Sequence, residues 1–349
     1  MEAMMKTNGQ LAAAIVGCGA IAGTHVAALQ ANGTPIAALC DTKPEAMARL
    51  GLSAAQYTDW QAMLQAGGFD VLHICLPHYL HAPVAVAALE RGFHVLCEKP
   101  MAIAFEDGQR MVQAAAQSGQ WLGVIFQNRY NPASAFVKAA LESGRLGRPL
   151  AGNVRVNWFR NHAYYTESDW RGRLATEGGG VLINQAIHTF DLMHYFLADH
   201  TPLYTEAAAA NRAHQVTGVE VEDVVEGLTV YQSPIGTEVR VGFYANTFHA
   251  YDAPVMVELC CEGGRVALSG TQATLHFKDG TTEAAPQETD TVAGKSYWGA
   301  SHVRQIRSFY EAVSRGLAPE IDGAEALKTQ ALVCAIYQSA RTGRRVALS

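Results

Sequence analysis

Two short groups of residues carry side chains suited to moving protons. The first is Glu98-Lys99-Pro100, which closes the apolar run His94-Val95-Leu96-Cys97. A lysine just past the end of a buried strand sits where open α/β sheets bind ligands, and it can hold a substrate oxygen and help move a proton. The second is Asn184, His188 and Asp191, spaced four and then three residues apart after Gly178-Gly179-Gly180. That spacing places all three on one helical face. A histidine flanked by an amide and a carboxylate can be held in one orientation and one tautomer, as a general acid/base near neutral pH must be. Taken alone, His188 would read as a core histidine, and His194 is left in that role.

The elements that must position these residues begin with an alternation of strand and helix. Ala12–Val16, Ile36–Cys40, Val71–Leu76, Phe93–Cys97 and Gln120–Phe126 read as strands. Between them, Ile21–Ala31, Pro44–Leu50, Pro83–Arg91 and Glu106–Ser118 read as helices. Such alternation predicts a parallel sheet covered on both faces. Gly17-Cys18-Gly19-Ala20-Ile21-Ala22 follows the first strand and opens the first helix, which is the context a dinucleotide fingerprint requires. Gly17 permits the tight turn, Gly19 lets the backbone approach a pyrophosphate, and the N–H groups around Ala20 and Ile21 face the phosphates. Asp41 ends the second strand, where an acid hydrogen-bonds the adenosine ribose. Its charge repels a 2′-phosphate and so favours NAD, although Lys43 softens the repulsion and leaves NADP open. The plain alternative is a glycine turn and a helix-capping aspartate.

After Asn131-Pro132 the pattern changes, so a boundary is expected near Tyr130, giving domains 1–130 and 131–349. A helix over Ala133–Glu142 is followed by alternation of Val154, Val156 and Trp158 with polar residues. A helix is expected from Gly180 to about Leu197, and two more over Val303–Arg315 and Ala324–Thr342. Strand-like runs at Val224–Tyr231, Glu238–Ala245, Val255–Cys261 and Val266–Leu268, joined by short turns, predict an antiparallel sheet. The polar and aromatic stretch from Arg160 to Glu177 holds His162, Tyr164, Tyr165, Trp170, Arg171 and Arg173. Aromatic faces beside polar groups suit a sugar ring, and a loop packed on the core or at a subunit contact uses the same residues.

Composition narrows the function class. The 349 residues are 49% hydrophobic and 17% charged, enough for a sizeable core and two domains. A net charge of −6 gives no electrostatic case for nucleic acid or anionic membrane. Seven scattered cysteines without a Cys-x-x-Cys pair suit a reducing compartment. The run Leu11–Val16 leads straight into the glycine motif, so it is read as a strand and not as a secretion signal or membrane span, and the cytoplasm is the default. No His-Glu-x-x-His, no Cys/His ligand spacing and no Gly-x-Ser-x-Gly occurs, and His78 with His81 lacks a third ligand in sequence. Metal-free hydride transfer is the economical chemistry, with nicotinamide taking the hydride and a side chain the hydroxyl proton.

Together these motifs resemble the Gfo/Idh/MocA family of sugar and cyclitol oxidoreductases. The resemblance spans nearly the whole chain and rests on the glycine fingerprint, on Leu76-Pro77-His78-Tyr79-Leu80-His81, on Glu98-Lys99-Pro100 and on the run from Gly178 to Asp191. It implies a Rossmann domain, then an α/β domain with a large open, mostly antiparallel sheet that forms a dimer or tetramer contact. By the same likeness Lys99 sits between nicotinamide and substrate, and His188 faces the reacting hydroxyl. Glu98 and His81 lie near the nicotinamide ribose, Leu76 and Pro77 line the cofactor cleft, and Gln127, Asn128 and Arg129 lie near the nicotinamide. Arg129, Tyr165, Trp170, Arg171 and Asn184 are the further substrate candidates. Two departures stand out. Leu76-Pro77-His78 replaces a frequent Thr-Pro-Asn, and Asn184 stands where many members carry Asp, which leaves the proton to His188 or Lys99. Relatives that cleave glycosides by transient oxidation, and a catalytically silent dinucleotide-binding sensor, are the alternative functions.

Overall fold

The computed structural model describes residues 10–215, 218–287 and 301–348. Two compact units divide the chain: Met1–Phe126 with Thr291–Lys328, and Gln127–Asp290 with Thr329–Ser349. The expected boundary near Tyr130 lies close to the first crossing point, but the segment 301–328 joins the first unit and not the second. The cause is its apolar face: Ile306, Phe309, Tyr310 and Val313 of the helix Ser301–Ser314 are buried in the core of the first unit with Ile15, Leu29 and Leu96.

The first unit is built on six parallel strands: β1 (Ala13–Val16), β2 (Ile36–Cys40), β3 (Ala55–Tyr57), β4 (Val71–Ile74), β5 (His94–Cys97) and β6 (Leu122–Val124). Their order, β3-β2-β1-β4-β5-β6, is that of the doubly wound dinucleotide fold. Strands β1 and β4 are buried along their whole length, as strands covered on both faces must be. The order reverses between β1 and β4, so ligands are expected outside the carboxyl ends of these strands, where Gly17 and Cys75 stand.

The second unit holds nine strands: β7 (Pro149–Asn157), β8 (Thr201–Ala210), β9 (Val224–Gln232), β10 (Glu238–Asn246), β11 (Met256–Cys261), β12 (Gly264–Ser269), β13 (Gln272–Phe277), β14 (Thr282–Ala284) and β15 (Val346–Ala347). All neighbours are antiparallel except β7 and β10. One face is apolar: Val154, Val156, Val241, Phe243, Val257 and Leu259 are buried at every second position. The helix Ile187–Phe196 packs on that face, with Phe190 edge-on to Phe243 at 5.1 Å between ring centroids.

That helix is not α-helical from its start. Val181–Ala186 is π-helical and passes into the α-helix at Ile187. The wider π turn changes the angular step between Asn184 and His188 from that of the regular helix expected. π segments recur at functional sites because they re-aim side chains at a cost in backbone regularity.

Candidate active site

In the first unit the glycine turn has the shape a dinucleotide needs. Gly17 has φ +87°, and a Cβ added there would lie 2.4 Å from the Cys75 carbonyl oxygen, so only glycine fits. A Cβ at Gly19 would meet nothing within 4 Å, which leaves exposed space beside Gly19 and Ala20. The helix Ala22–Ala31 begins without a side-chain cap from Ile21, and the Ala22 and Thr24 N–H groups donate to the carbonyls of Gly19 and Ile21 at 3.2 and 3.0 Å. Ala22 is fully buried, as its close helix–strand position requires. The Asp41 carboxylate is already fixed at the turn: Oδ2 accepts the Cys18 N–H at 2.8 Å and Oδ1 the Lys43 N–H at 2.9 Å. Each oxygen keeps a lone pair for a ribose hydroxyl. The residues present therefore fit a nicotinamide dinucleotide.

The lysine turn is held from below. The Lys99–Pro100 peptide is cis. His81 is 1% exposed, with Nδ1 2.7 Å from the Pro100 carbonyl oxygen and Nε2 2.8 Å from that of Leu76. It ties the half-buried Leu76-Pro77 turn to the lysine turn. Burial lowers its pKa. A neutral ring has one N–H, so His81 donates to one of these two carbonyls at a time. Glu98 is likewise turned inward: Oε1 bonds His25 Nε2 at 2.9 Å and lies 3.6 Å from His302 Nε2, while Oε2 accepts the Lys99 N–H at 3.3 Å. Burial opposes its charge, but the hydrogen bonds and charges of His25 and His302 hold the carboxyl well below the usual range.

In the second unit the start of the helix is fastened by Glu222. Its Oε2 accepts the Gly180 N–H at 2.8 Å and its Oε1 the Leu182 N–H at 3.0 Å and the Tyr337 hydroxyl at 2.8 Å. The glycines explain themselves at this contact. A Cβ at Gly180 would fall 1.9 Å from the Glu222 carbonyl oxygen, and one at Gly179 2.0 Å from the Tyr337 hydroxyl.

Asn184 stands on a second buried carboxylate. Its Nδ2 donates to Glu177 Oε1 at 2.6 Å and to the Tyr164 hydroxyl at 3.2 Å, so what it offers anything further is its carbonyl oxygen, an acceptor. Glu177 is fully buried, its Oε2 accepts the Gly172 N–H at 2.6 Å, and burial pushes its carboxyl up to about 7. Gln185 Nε2 also donates to the Tyr164 hydroxyl, at 3.0 Å. The Arg171 guanidinium lies over the rings of Tyr164 and Trp170, 4.6 and 4.8 Å from their centroids. His188, half-buried, follows four residues later, in the first turn of the α-helix.

Three expectations are corrected here. Asp191 does not orient His188: its oxygens take Arg129 Nε at 2.8 Å, Arg129 Nη2 at 2.7 Å and the Thr329 hydroxyl at 2.9 Å. Arg129 is 4% exposed and committed to that pair, so it locks the Gln127–Tyr130 turn to the helix and is not a substrate arginine. Tyr165 is 3% exposed with its hydroxyl on Thr247 at 3.3 Å, and its neighbour Tyr164 makes the polar contact with Asn184. Gln127 is buried and Asn128 half-buried in the same turn. Glu177, Glu222 and His25 make buried polar contacts that sequence reasoning missed. The available signals were a carboxylate directly before three glycines and a lone histidine within an alanine-rich helix.

A doubly wound sheet with a glycine turn and an acid at the end of its second strand, a lysine at a strand end, and a second open-sheet unit carrying an amide and a histidine are the features of a nicotinamide-dependent oxidoreductase. Comparison with known proteins places it further. Residues 11–126 match the model described as "Oxidoreductase family, NAD-binding Rossmann fold", and residues 135–280 match the GFO/IDH/MocA C-terminal domain. The chain belongs to the Gfo/Idh/MocA oxidoreductase family. It is 29% identical to a D-apiose dehydrogenase of Paraburkholderia graminis over 356 residues, covering 100% of this chain and 92% of that enzyme. It is 25% identical to an inositol 2-dehydrogenase of Salmonella typhimurium over 88% of each. Among solved structures, the WlbA dehydrogenase of Bordetella pertussis, in complex with NADH and UDP-GlcNAcA, superposes with a TM-score of 0.83 at 30% identity over 99% of both chains.

Proposed function

We propose that the protein is an NAD-dependent dehydrogenase or reductase acting on a hydroxyl or keto carbon of a sugar, sugar derivative or cyclitol. The observation that carries this is the joining, in one chain, of the Asp41-anchored glycine turn and Lys99 at the end of β5. The dinucleotide, when bound, accepts or donates the hydride. Lys99 holds and polarises the substrate oxygen, and His188 exchanges its proton. Asn184 offers its carbonyl oxygen to a neighbouring hydroxyl, since its N–H groups are used by Glu177 and Tyr164. Trp170 and Arg171 supply an aromatic and cationic wall for the ring. The relatives named above act on apiose and inositol, and one was crystallised with a nucleotide-linked sugar, which supports this substrate class. We assign the protein to the cytoplasm, as a homo-oligomer joined through the sheet of the second unit.

The test is a panel of sugars, sugar acids, inositols and nucleotide-linked sugars, followed by nicotinamide absorbance with NAD and NADP in parallel. On the substrate found, Lys99→Ala is expected to lower kcat by roughly 10²–10⁴-fold. Full turnover in that variant refutes the assignment. Sedimentation of the purified protein as a monomer would refute the oligomer.

A further inference from the structure

The turn Trp170-Arg171-Gly172 of the second unit is held on both sides of its arginine. The Trp170 carbonyl accepts the Thr176 hydroxyl at 2.6 Å, the Gly172 N–H donates to the buried Glu177 Oε2 at 2.6 Å, and the Arg171 N–H donates to Ser168 Oγ at 3.3 Å. The Arg171 guanidinium lies over the Tyr164 and Trp170 rings, and the Tyr164 hydroxyl is fixed in turn by the Asn184 and Gln185 amides. Main-chain and ring contacts together limit where this charge can go.

What this arginine lacks is an anion. Among the described residues the Arg171 side chain makes no hydrogen bond and no ion pair. Its Nε is sealed from solvent without a partner, whereas neither Nη is sealed, so the outer edge of the half-buried fork stays open. Aromatic rings cover the faces of a guanidinium, but its N–H bonds lie in the plane and point out from the edge, so stacking does not satisfy them. Arg129 and Arg160 of the same unit are matched: Arg129 holds both Asp191 oxygens, and Arg160 pairs with Asp252 at 2.8 Å. Glu177 feels the Arg171 charge, but its oxygens are taken by Asn184 and Gly172, and its carboxyl keeps a proton up to about pH 7. It therefore supplies no full counter-charge at neutral pH. A half-buried cation with unsatisfied donors is accounted for where an anion arrives with a ligand.

We propose that Arg171 binds a carboxylate of the substrate, so that the protein acts on acidic sugars, uronic or aldonic acids either free or nucleotide-linked, in preference to their neutral counterparts. This rests on the dehydrogenase reading and narrows its substrate class. The open edge presents two Nη groups side by side, and their N–H bonds match the two oxygens of a carboxylate. A single guanidinium balances the one charge of a carboxylate, not the nearly two of a phosphate monoester. Tyr164 links this charge to Asn184, whose amide bonds its hydroxyl while the guanidinium lies over its ring. With one side chain between them, one sugar can meet both, a hydroxyl at the Asn184 carbonyl oxygen and its carboxylate at Arg171.

Matched pairs test it: glucuronate against glucose, galacturonate against galactose, gluconate against glucitol, and UDP-glucuronate against UDP-glucose, with glucose 6-phosphate as the phosphorylated control. In at least one pair the acid is expected to exceed its neutral partner in kcat/KM by roughly 10–100-fold, mainly through KM. Arg171→Gln is expected to remove most of that ratio, and Arg171→Lys, which keeps the charge without the fork, to retain part of it. Turnover confined to neutral sugars or cyclitols, no better for the acids, or best for glucose 6-phosphate overturns the inference and leaves the dehydrogenase reading standing. An Arg171→Gln variant that lowers both members of a pair alike also overturns it, since that is the mark of an arginine that only holds the turn. The wild-type ratios stand on their own where a variant does not fold. If the wild-type protein turns over nothing, the dehydrogenase reading fails, and calorimetry of the same acids on the NADH-loaded protein still reads Arg171. Binding to the wild type roughly tenfold or more tighter than to Arg171→Gln upholds the carboxylate site, and equal affinity or no binding overturns it.

Discussion

Glu177 lends itself to a quantitative test, because its replacement by glutamine separates charge from shape. Burial pushes its carboxyl from 4.5 up to about 7. In the folded protein the proton stays on until about pH 7, and in the unfolded chain only until about pH 4.5. Between these values the folded state binds more protons, so stability falls as pH rises, and the loss is complete above about pH 7. Roughly 2.5 pH units at ~1.36 kcal/mol each give about 3 kcal/mol. Glutamine has no proton to lose, so Glu177→Gln escapes this decline. Its amide nitrogen faces one of the donors that Glu177 accepts, the Gly172 N–H or Asn184 Nδ2, at a cost of about 1–3 kcal/mol that is the same at every pH. The variant should therefore gain about 3 kcal/mol on its parent between pH 4.5 and pH 8, whatever its starting deficit. Urea unfolding of both proteins across that range reads the difference. Parallel curves, or a variant that loses ground as pH rises, would refute a raised Glu177 pKa and the burial argument behind it.

Other substitutions probe separate parts of the argument. Asp191→Ala leaves the buried Arg129 guanidinium without its partner and should cost about 3–5 kcal/mol by denaturant unfolding, whereas the apolar pair Arg129→Met with Asp191→Leu should recover most of it. Gly17→Ala forces a Cβ against the Cys75 carbonyl, and calorimetry should find NADH binding weakened by roughly tenfold or more, about 1.4 kcal/mol. Asn184→Asp sets two carboxylates about 2.6 Å apart and should destabilise the protein most above pH 7; adding Glu177→Gln restores a donor–acceptor pair and should reverse most of that loss in a double-mutant cycle.

The first unit was legible because its signals are local. The glycine turn, Asp41 and the apolar strands β1, β4 and β5 each follow from a few consecutive residues. What escaped depends on pairing. β3 is three half-exposed or exposed residues, Ala55-Gln56-Tyr57, that become a strand only by lying along β2. β8 ends in Ala207–Ala210, a run that favours helix, yet its pairing with β9 holds it extended. A helix carrying Asn184 and His188 was legible from the sequence, but its π-helical start and the partners of Asn184 were not. Asp191 lies at the right interval to serve His188, and only the folded protein shows that Arg129, 62 residues earlier, claims both of its oxygens.

The missing aspartate at position 184 has a physical consequence beyond the loss of a base. Glu177 brings a carboxylate to within hydrogen-bond distance of that position, and a value of about 7 would suit a general base. Yet Glu177 is fully buried and both oxygens are occupied, by Asn184 and by the Gly172 main chain, so it has no face to present to a substrate. Its charge acts through the amide: while ionised it holds Nδ2 and so keeps the Asn184 carbonyl oxygen as the acceptor. Glu98 stands in a comparable relation to Lys99, buried and held by His25 while its other oxygen accepts the N–H of the half-buried Lys99. In both units a buried carboxylate fixes its neighbour, Asn184 or Lys99, and it is suited to this because its cost in burial is offset only when its partners stand in one arrangement.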